Sequence, residues 1–446
     1  MQDRRSFLVG ATMLAGTLAA SKPFEVFAQS LKPAVATADT AWQHTKDEAA
    51  RVLAGNVRTV PSFKQPVLFE GSTYQGIWQE CGPHESLVYA GLAHDKSGKC
   101  AIPDPASGEI TAAQVARNTH MAFFALQRPD GQLPASVKIS DVGFGQIQMV
   151  VPIAATAWEL AQLTCDHEFL ETAYNACSRW DAWLRQYRDT RKTGLVEGFC
   201  TYDTGHDNSP RWAGIPNRCP DADARKCPPL ASMPRLCPDL SATVYGGRVA
   251  LASMARALGK TSEADRWQAD AEKIRQLIIA KLYSSEDAAF YDLDAQNKFA
   301  RVRSDVISRV LGEHVLQTSN KRDQAIFEAV WARQIHNPSA FWAPYPLSSI
   351  ALDDPTFVRP IPRNSWGGAS QALTALRAPR WMVHYGKQVE LNELMRQWCA
   401  AIMRHTEFRQ QIDPQTGDFT QPDPGGYSPA ALVFLDFSNR LGKRTA

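Results

Sequence analysis

Residues 198–212 read GFCTYDTGHDNSPRW with Glu197 just ahead, so Glu197, Asp203 and Asp207 fall within eleven positions of one another. Gly205 and Pro210 keep this stretch from being helical. Carboxylates on such a loop can converge on a ligand, the arrangement that proton transfer to and from a bound molecule requires. A purely local reading also exists: Ser209-Pro210 starts a helix, with Ser as cap and Pro at the first helical position, and Asp207 sits by the positive end of the dipole. Both readings can hold at once. Gly76-Ile77-Trp78-Gln79-Glu80 and Gln127-Arg128-Pro129-Asp130-Gly131-Gln132-Leu133-Pro134 are further turns that carry aromatic, amide and acidic groups. In Asn364-Ser365-Trp366-Gly367-Gly368 the paired glycines let backbone approach a ligand and Trp366 offers a stacking face, or the stretch is a tight turn between helices.

These loops must hang from helices, because helical periodicity dominates the rest of the chain. Trp267, Ala271, Ile274, Ile278 and Leu282 form one stripe behind Thr261-Ser262, which predicts a hydroxyl-capped helix. Asp166 precedes Phe169, Ala173, Ala176, Trp180, Trp183 and Tyr187, and Val389 precedes Leu394 and Trp398. Each of these helices follows another apolar one: Trp158 to Thr164, Val249 to Leu258, and Leu373 to Tyr385. The recurring unit is a helical hairpin. No alternating run is long enough for a large sheet, and a solenoid would keep a stricter period. The expectation is an all-α toroid of inner and outer helices with long loops.

Composition limits the alternatives. The 446 residues are 44% hydrophobic and 21% charged, ordinary for a globular protein and wrong for a disordered chain or a many-span membrane protein. With 48 Lys and Arg against 46 Asp and Glu there is no broad basic field for nucleic acid. Arg4-Arg5 precedes an apolar run from Leu8 to Ala20, too short for a stable membrane span, and Val26-Phe27-Ala28 offers a cleavage site. The start of the chain resembles a twin-arginine export signal, which predicts a leader over 1–28, a single domain over 29–446 and a periplasmic or secreted bacterial protein. Nine cysteines include Cys219, Cys227 and Cys237 in an irregular Pro-rich insertion. Their spacing fits no zinc site, and an oxidising compartment predicts a disulfide there instead.

In order along the chain, Trp78-Gln79-Glu80, Gln127 to Pro134, Asp207-Asn208-Ser209-Pro210-Arg211-Trp212, Pro238-Asp239-Leu240 and Gln410-Gln411-Ile412-Asp413-Pro414-Gln415-Thr416-Gly417 match five motifs of one group. The chain resembles the (α/α)6-barrel glycosidases of the trehalase and glycoside hydrolase family 63 type, the six-hairpin glycosidases. The resemblance spans Ile77 to Phe437 and implies a single six-hairpin barrel with its active site in a funnel of loops. It implies Asp207 as general acid, Arg211 on sugar hydroxyls or a charged substituent, and Trp78 and Trp212 as stacking faces. Glu80 takes the place of a hydroxyl-binding Asp. Gln132, Asp203, Asn364, Trp366 and Gln410 complete the expected substrate-binding set, and neither metal nor cofactor is called for.

The departure is Gln410, where the group has a Glu as general base; an amide cannot take a proton from water. Either Glu407, Asp413 or Asp418 is the base, or another loop supplies it, or no carboxylate activates water. Asp413 also suits a plain turn. The expected function is an exported glycoside hydrolase, exo-acting and inverting, on a saccharide or glycoside. Alternatives are a glycoside phosphorylase, in which phosphate replaces water, or an inactive periplasmic saccharide-binding protein.

Overall fold

The computed structural model describes residues 24–93, 110–405, 407–420 and 424–442. The twin-arginine stretch and Cys100 lie outside them. Two compact units are distinguished, 1–44 and 45–446; in the first, the described residues are helical from Phe24 onward. No described helix is long and apolar enough to cross a membrane.

Among the described residues there are twelve α-helices: α1 (Phe24–Asn56), α2 (Gly82–Ala93), α3 (Ala112–Ala125), α4 (Ile153–Thr164), α5 (His167–Tyr187), α6 (Pro238–Ala257), α7 (Thr261–Leu282), α8 (Val306–Gly312), α9 (Lys321–Val330), α10 (Ala372–Met382), α11 (Gln388–His405) and α12 (Ser428–Gly442). The even-numbered helices pack in sequence, α2 on α4, α4 on α6, α6 on α8, α8 on α10 and α10 on α12, and α12 closes the ring on α2. Outside them α3 backs α2, α5 backs α4, α7 backs α6 and α11 backs α10 and α12. This is the all-α toroid that the hairpin pattern predicts.

Local chemistry explains the outer helices. Asp166 caps α5 by accepting from Phe169 N at 2.9 Å, and Phe169, Ala173, Ala176, Trp180 and Trp183 are buried along one stripe. On α7 the stripe buries Ala271, Ile274, Ile278 and Leu282, while Trp267 stays half-buried. The hydroxyl cap expected there is absent: Thr261 is already the first helical residue, and Lys260 at the cap position makes no side-chain bond. The inner helices are buried nearly all round and take polar residues such as Glu85, Asp239, Arg309 and Arg377 into the core with them.

Short strands lash the loops at one end of the toroid. Gly76–Trp78 pairs with Ser136–Lys138, which pairs with Val142–Gly143. Glu197–Gly198, Arg235–Leu236, Asp292–Leu293 and Phe299–Ala300 form a second patch, and Ser370–Gln371 with Gln411–Ile412 a third. The Pro-rich insertion is not held by the expected disulfide: Cys219, Cys227 and Cys237 are free thiols. Cys237 faces Arg235 O and Cys227 faces Pro228 O, while Cys219 Sγ donates to Cys200 Sγ at 3.6 Å. Hydrogen bonds pin the segment instead, including Arg188 Nε to Ala224 O and Thr201 N to Pro216 O.

Candidate active site

Ser209 accepts from Arg211 N at 3.3 Å and caps the 3-10 turn Pro210–Trp212. Ser209 is thus the cap that the local reading expects, although it closes only a single 3-10 turn. Asn208 adopts a left-handed φ of 56°, and its Nδ2 donates to Asn364 O at 3.0 Å, while Trp366 N donates to Asp207 O at 3.1 Å. These bonds join the loop bearing Asp207 to the loop bearing Asn364. Asn364 Nδ2 then donates to Asp207 Oδ2 at 2.8 Å, Gln410 Nε2 donates to Asn364 Oδ1 at 2.8 Å, and Tyr74 OH donates to Gln410 Oε1 at 2.9 Å. Four side chains from four distant segments thus form one directional chain that ends on Asp207.

Asp207 is half-buried and lines a cleft of about 380 Å³ with Tyr74, Trp78, Tyr202 and Gln148. Burial, and then the negative charge of Glu80, push its carboxyl up to about 7 against the pull of Asn364. Glu80 is buried behind the cleft against Gly205, where a Cβ would fall 1.6 Å from Glu80 Oε2. Glycine is required at 205 for that approach as well as for its φ of +61°. Burial also raises the Glu80 carboxyl, opposed by Arg377, Arg309 and a hydrogen bond with Gln148. Deeper still, Tyr427 OH donates to Glu70 Oε1 at 2.6 Å, and Glu70 is raised well above the usual range by burial, Glu85 and Glu80. Burial therefore holds a group of carboxyls around Asp207, Glu80 and Glu70 among them, above their usual range, with Asp207 itself at about 7. Such groups can carry a proton at pH 7 and give it up to a leaving group.

Other expected ligands face inward. The Arg211 guanidinium is clamped by Asp239 and Asp292 with N–O distances of 2.6–2.9 Å, and its Nη1 meets His206 Nδ1 at 3.0 Å. It braces the start of α6 against the short strand Asp292–Leu293 and does not line the cleft. Trp212 is buried, with Nε1 on Thr204 Oγ1 at 2.9 Å. Asp203 takes Arg188 Nη1 at 2.5 Å and the backbone N–H groups of Ile147, Phe199 and Cys200, so its acceptors are used inside the protein. Glu197 binds Thr190 and Arg191 N–H groups. Gln132 is buried and donates to Phe144 O at 3.0 Å, tying its turn to the segment that follows Val142–Gly143. Trp366 lies beneath the site, with the Arg309 guanidinium 4.9 Å from its ring.

None of the three alternative carboxylates lines the cleft with Asp207. Glu407 pairs with Arg409 at the surface. Asp413 organises its turn, accepting from Gln415 N at 2.7 Å and pairing with Arg359 at 3.1 Å. Asp418 pairs with Arg404 at 3.4 Å. Gln410 is buried and bonded at both ends of its amide. Sequence reasoning missed Tyr74, Tyr202, Gln148, Arg128, Lys138 and Arg218, all of which line the cleft. The signal for Tyr202 was present, inside the same acidic loop as Asp207.

A family model described as the mannosylglycerate hydrolase MGH1-like glycoside hydrolase domain matches residues 110–429. The chain belongs to this family. It is a glycosidase on the six-hairpin toroid. Among solved structures it is similar to the family 63 mannosylglycerate hydrolase of Thermus thermophilus in complex with Tris and D-glycerate, at 18% identity and a TM-score of 0.66, covering 88% of this chain and 100% of that one. The same enzyme in complex with glucose gives 17% identity and a TM-score of 0.63 over 88% and 99%. Neutral trehalase from Saccharomyces cerevisiae gives 13% identity and 0.59 over 87% and 77%. At these identities the likeness is one of fold. No curated protein matches the sequence.

Proposed function

We propose that this glycosidase cleaves a terminal glycosidic bond with inversion at the anomeric carbon, that Asp207 is its general acid, and that it works after export. The state of Asp207 carries the reading. Its carboxyl is reachable from the cleft yet pushed up to about 7, so at neutral pH a large fraction holds a proton to donate. An ordinary Asp near 3.8 would be ionised. The limited size of the cleft supports action at the end of a saccharide rather than on a threaded polymer.

An acidic aglycone is supported by Arg128, Lys138 and Arg218 along the cleft, tempered by Asp141 beside Lys138 at 2.9 Å. It is also in keeping with the family's description as mannosylglycerate hydrolase-like. Export is supported by Arg4-Arg5 ahead of the apolar run, and changing both to Lys should trap precursor inside the cell.

Hydrolysis requires a water activator other than residue 410, and Glu80 and Glu70 are the carboxylates named above whose charges bear on Asp207. One observation favours a second reading, phosphorolysis: Gln410 stands locked between Tyr74 and Asn364, and phosphate as nucleophile needs no base. The test is cleavage of glycosides of hydroxy acids against neutral glycosides, with and without phosphate, following the anomer by proton NMR. Inverted product released faster from the acidic glycosides supports the proposal. Retention, or equal turnover by Asp207→Asn, overturns it.

A further inference from the structure

Between α8 and α10, beneath Glu80, lies a small cavity of about 20 Å³ lined by Arg309, Arg377, Arg380, Asp305, Glu313 and Thr374, among others. That is enough for about one water-sized sphere. Arg309 spends Nε on Asp305 at 3.2 Å and Nη1 on Thr204 O at 2.5 Å, but its Nη2 has no partner. Arg377 reaches only Glu80 O, at 3.4 Å, and leaves Nε and Nη1 unpartnered. Arg380 grips Glu159 with both terminal nitrogens, at 3.0 and 2.7 Å, and leaves Nε unpartnered. Arg309 is 5% exposed and Arg377 8%. Four buried guanidinium N–H positions therefore lack acceptors around one cavity, and each costs free energy comparable to a lost hydrogen bond.

The charges lining the cavity do not cancel: three guanidiniums face the carboxyls of Asp305 and Glu313 alone. Asp305 is already taken by His206, Arg309 and Thr374. Outside the lining, Glu159 is clamped on Arg380, Asp239 lies 3.6 Å from Arg309 Nη1 but is gripped by Arg211, and the buried Glu80 carboxyl attracts Arg377 and Arg309. Although burial opposes it, Arg309 and His206 hold the Asp305 carboxyl well below its usual range, so its charge is present. Glu313 does not supply the missing one, because burial pushes its carboxyl up to about 8 despite Arg380. Burial and the neighbouring Arg309 depress the Arg377 guanidinium from its usual value, against the pull of Glu80, Cys81 and Asp305. A water molecule would bring two hydrogens that need acceptors of their own. A monatomic anion brings none.

We propose that Arg309, Arg377 and Arg380 bind a single small monovalent anion, chloride by size, in the cavity between α8 and α10. The anion accepts from Arg309 Nη2 and Arg377 Nε and Nη1, and it fixes the Arg377 guanidinium that donates to Glu80 O under the cleft. Polyatomic anions such as phosphate and sulfate are too large for the space.

The test is independent of the reaction catalysed. Crystals of the wild-type protein soaked in sodium bromide should show an anomalous peak between Arg309 and Arg377. In solution, chloride should raise Tm over gluconate at equal ionic strength. At a chloride concentration about 100 times Kd, binding favours the folded state about 100-fold. Arg377→Met should lose the chloride-dependent part of Tm. Should that variant fail to fold, the wild-type bromide map still decides. A peak there with chloride-specific stabilisation upholds the site, and a bromide map without a peak in the cavity overturns it.

Discussion

Asn364 and Asp207 are joined by one short hydrogen bond, Nδ2 to Oδ2 at 2.8 Å, although 157 positions separate them in sequence. The bond occupies one carboxyl oxygen and leaves the other for the proton and the substrate. It also stabilises the ionised form, opposing burial and Glu80. Asn364→Ala should therefore raise the Asp207 carboxyl above about 7 and move the alkaline limb of kcat/KM upward. The loss of positioning lowers kcat at the same time, by up to about 10²-fold. An unshifted limb would show that the bond does not act on the acid.

Glu80→Gln predicts the opposite shift. Its negative charge is the second largest cause of the raised Asp207 carboxyl, after burial. Removing the charge while keeping the shape should lower that pKa and bring the alkaline limb to lower pH. A pH profile of kcat/KM on the wild type and both variants checks the two signs together. Limbs moving the same way in both variants would refute this electrostatic account.

Asp207→Asn should cut turnover about 10² to 10⁴-fold, most for poor leaving groups and least for aryl glycosides that depart without a proton. Folding should survive, because Ser209 holds the cap. Ser209→Ala provides the contrast, with about 0.5 to 2 kcal/mol of stability lost and turnover retained below Tm. Measuring kcat and Tm on both variants separates acid from cap. Near-normal kcat in the Asn variant would remove Asp207 from the chemistry.

The hairpin toroid and Asp207 were legible because both rest on local signals: a stripe every three or four residues, a cap such as Asp166, and a loop whose residue types cluster. What was not legible depends on partners far away in the chain. Arg211 and Trp212 carry the residue types of a sugar site, yet Asp239 and Asp292, 28 and 81 positions on, turn the guanidinium inward. Asp203 looked like a ligand until Arg188 claimed it. Conversely Tyr74 carries no motif, and only the meeting of its loop with Gln410, 336 positions away, brings it into the site. The expected disulfide failed for the same reason, since spacing in sequence does not fix which thiols face each other.

The buried titratable groups predict how stability depends on pH. Burial raises Glu70, Glu80, Glu85, Asp207 and Glu313 above their unfolded values, so the stability tied to their protonated forms is lost as pH rises through the folded pKa values. Burial lowers His84, His120, His206, His314 and His384 below 6.5, so their contribution grows up to pH 6.5 and then stops. The two sets oppose each other between pH 4.5 and 6.5, where Tm should be nearly flat. Above 6.5 the carboxyls act alone, and Glu85 and Asp207 near 7 with Glu313 near 8 should bring Tm down through pH 8. Calorimetry across that range checks it, and a Tm that climbs from about 6.5 to 8 contradicts it.

Gln410→Glu places a carboxylate at the position that the motif resemblance assigns to the general base, and the hydrogen-bond chain predicts that this alone does not improve hydrolysis. The native amide accepts from Tyr74 with Oε1 and donates to Asn364 Oδ1 with Nε2. A carboxylate keeps the first bond but has no N–H for the second, so two acceptors would face each other at 2.8 Å. Asn364 relieves the clash by turning its amide over, which presents Oδ1 to Asp207 in place of Nδ2. A protonated Asp207 then spends its O–H in a hydrogen bond to Asn364 Oδ1 instead of pointing it at the leaving group. The expected result is a lower kcat with and without phosphate, with Asn364→Ala in the same background recovering part of the loss. Faster hydrolysis in phosphate-free buffer would mean instead that water sits against residue 410 and that the native amide withholds its activation, which is the behaviour of a phosphorylase.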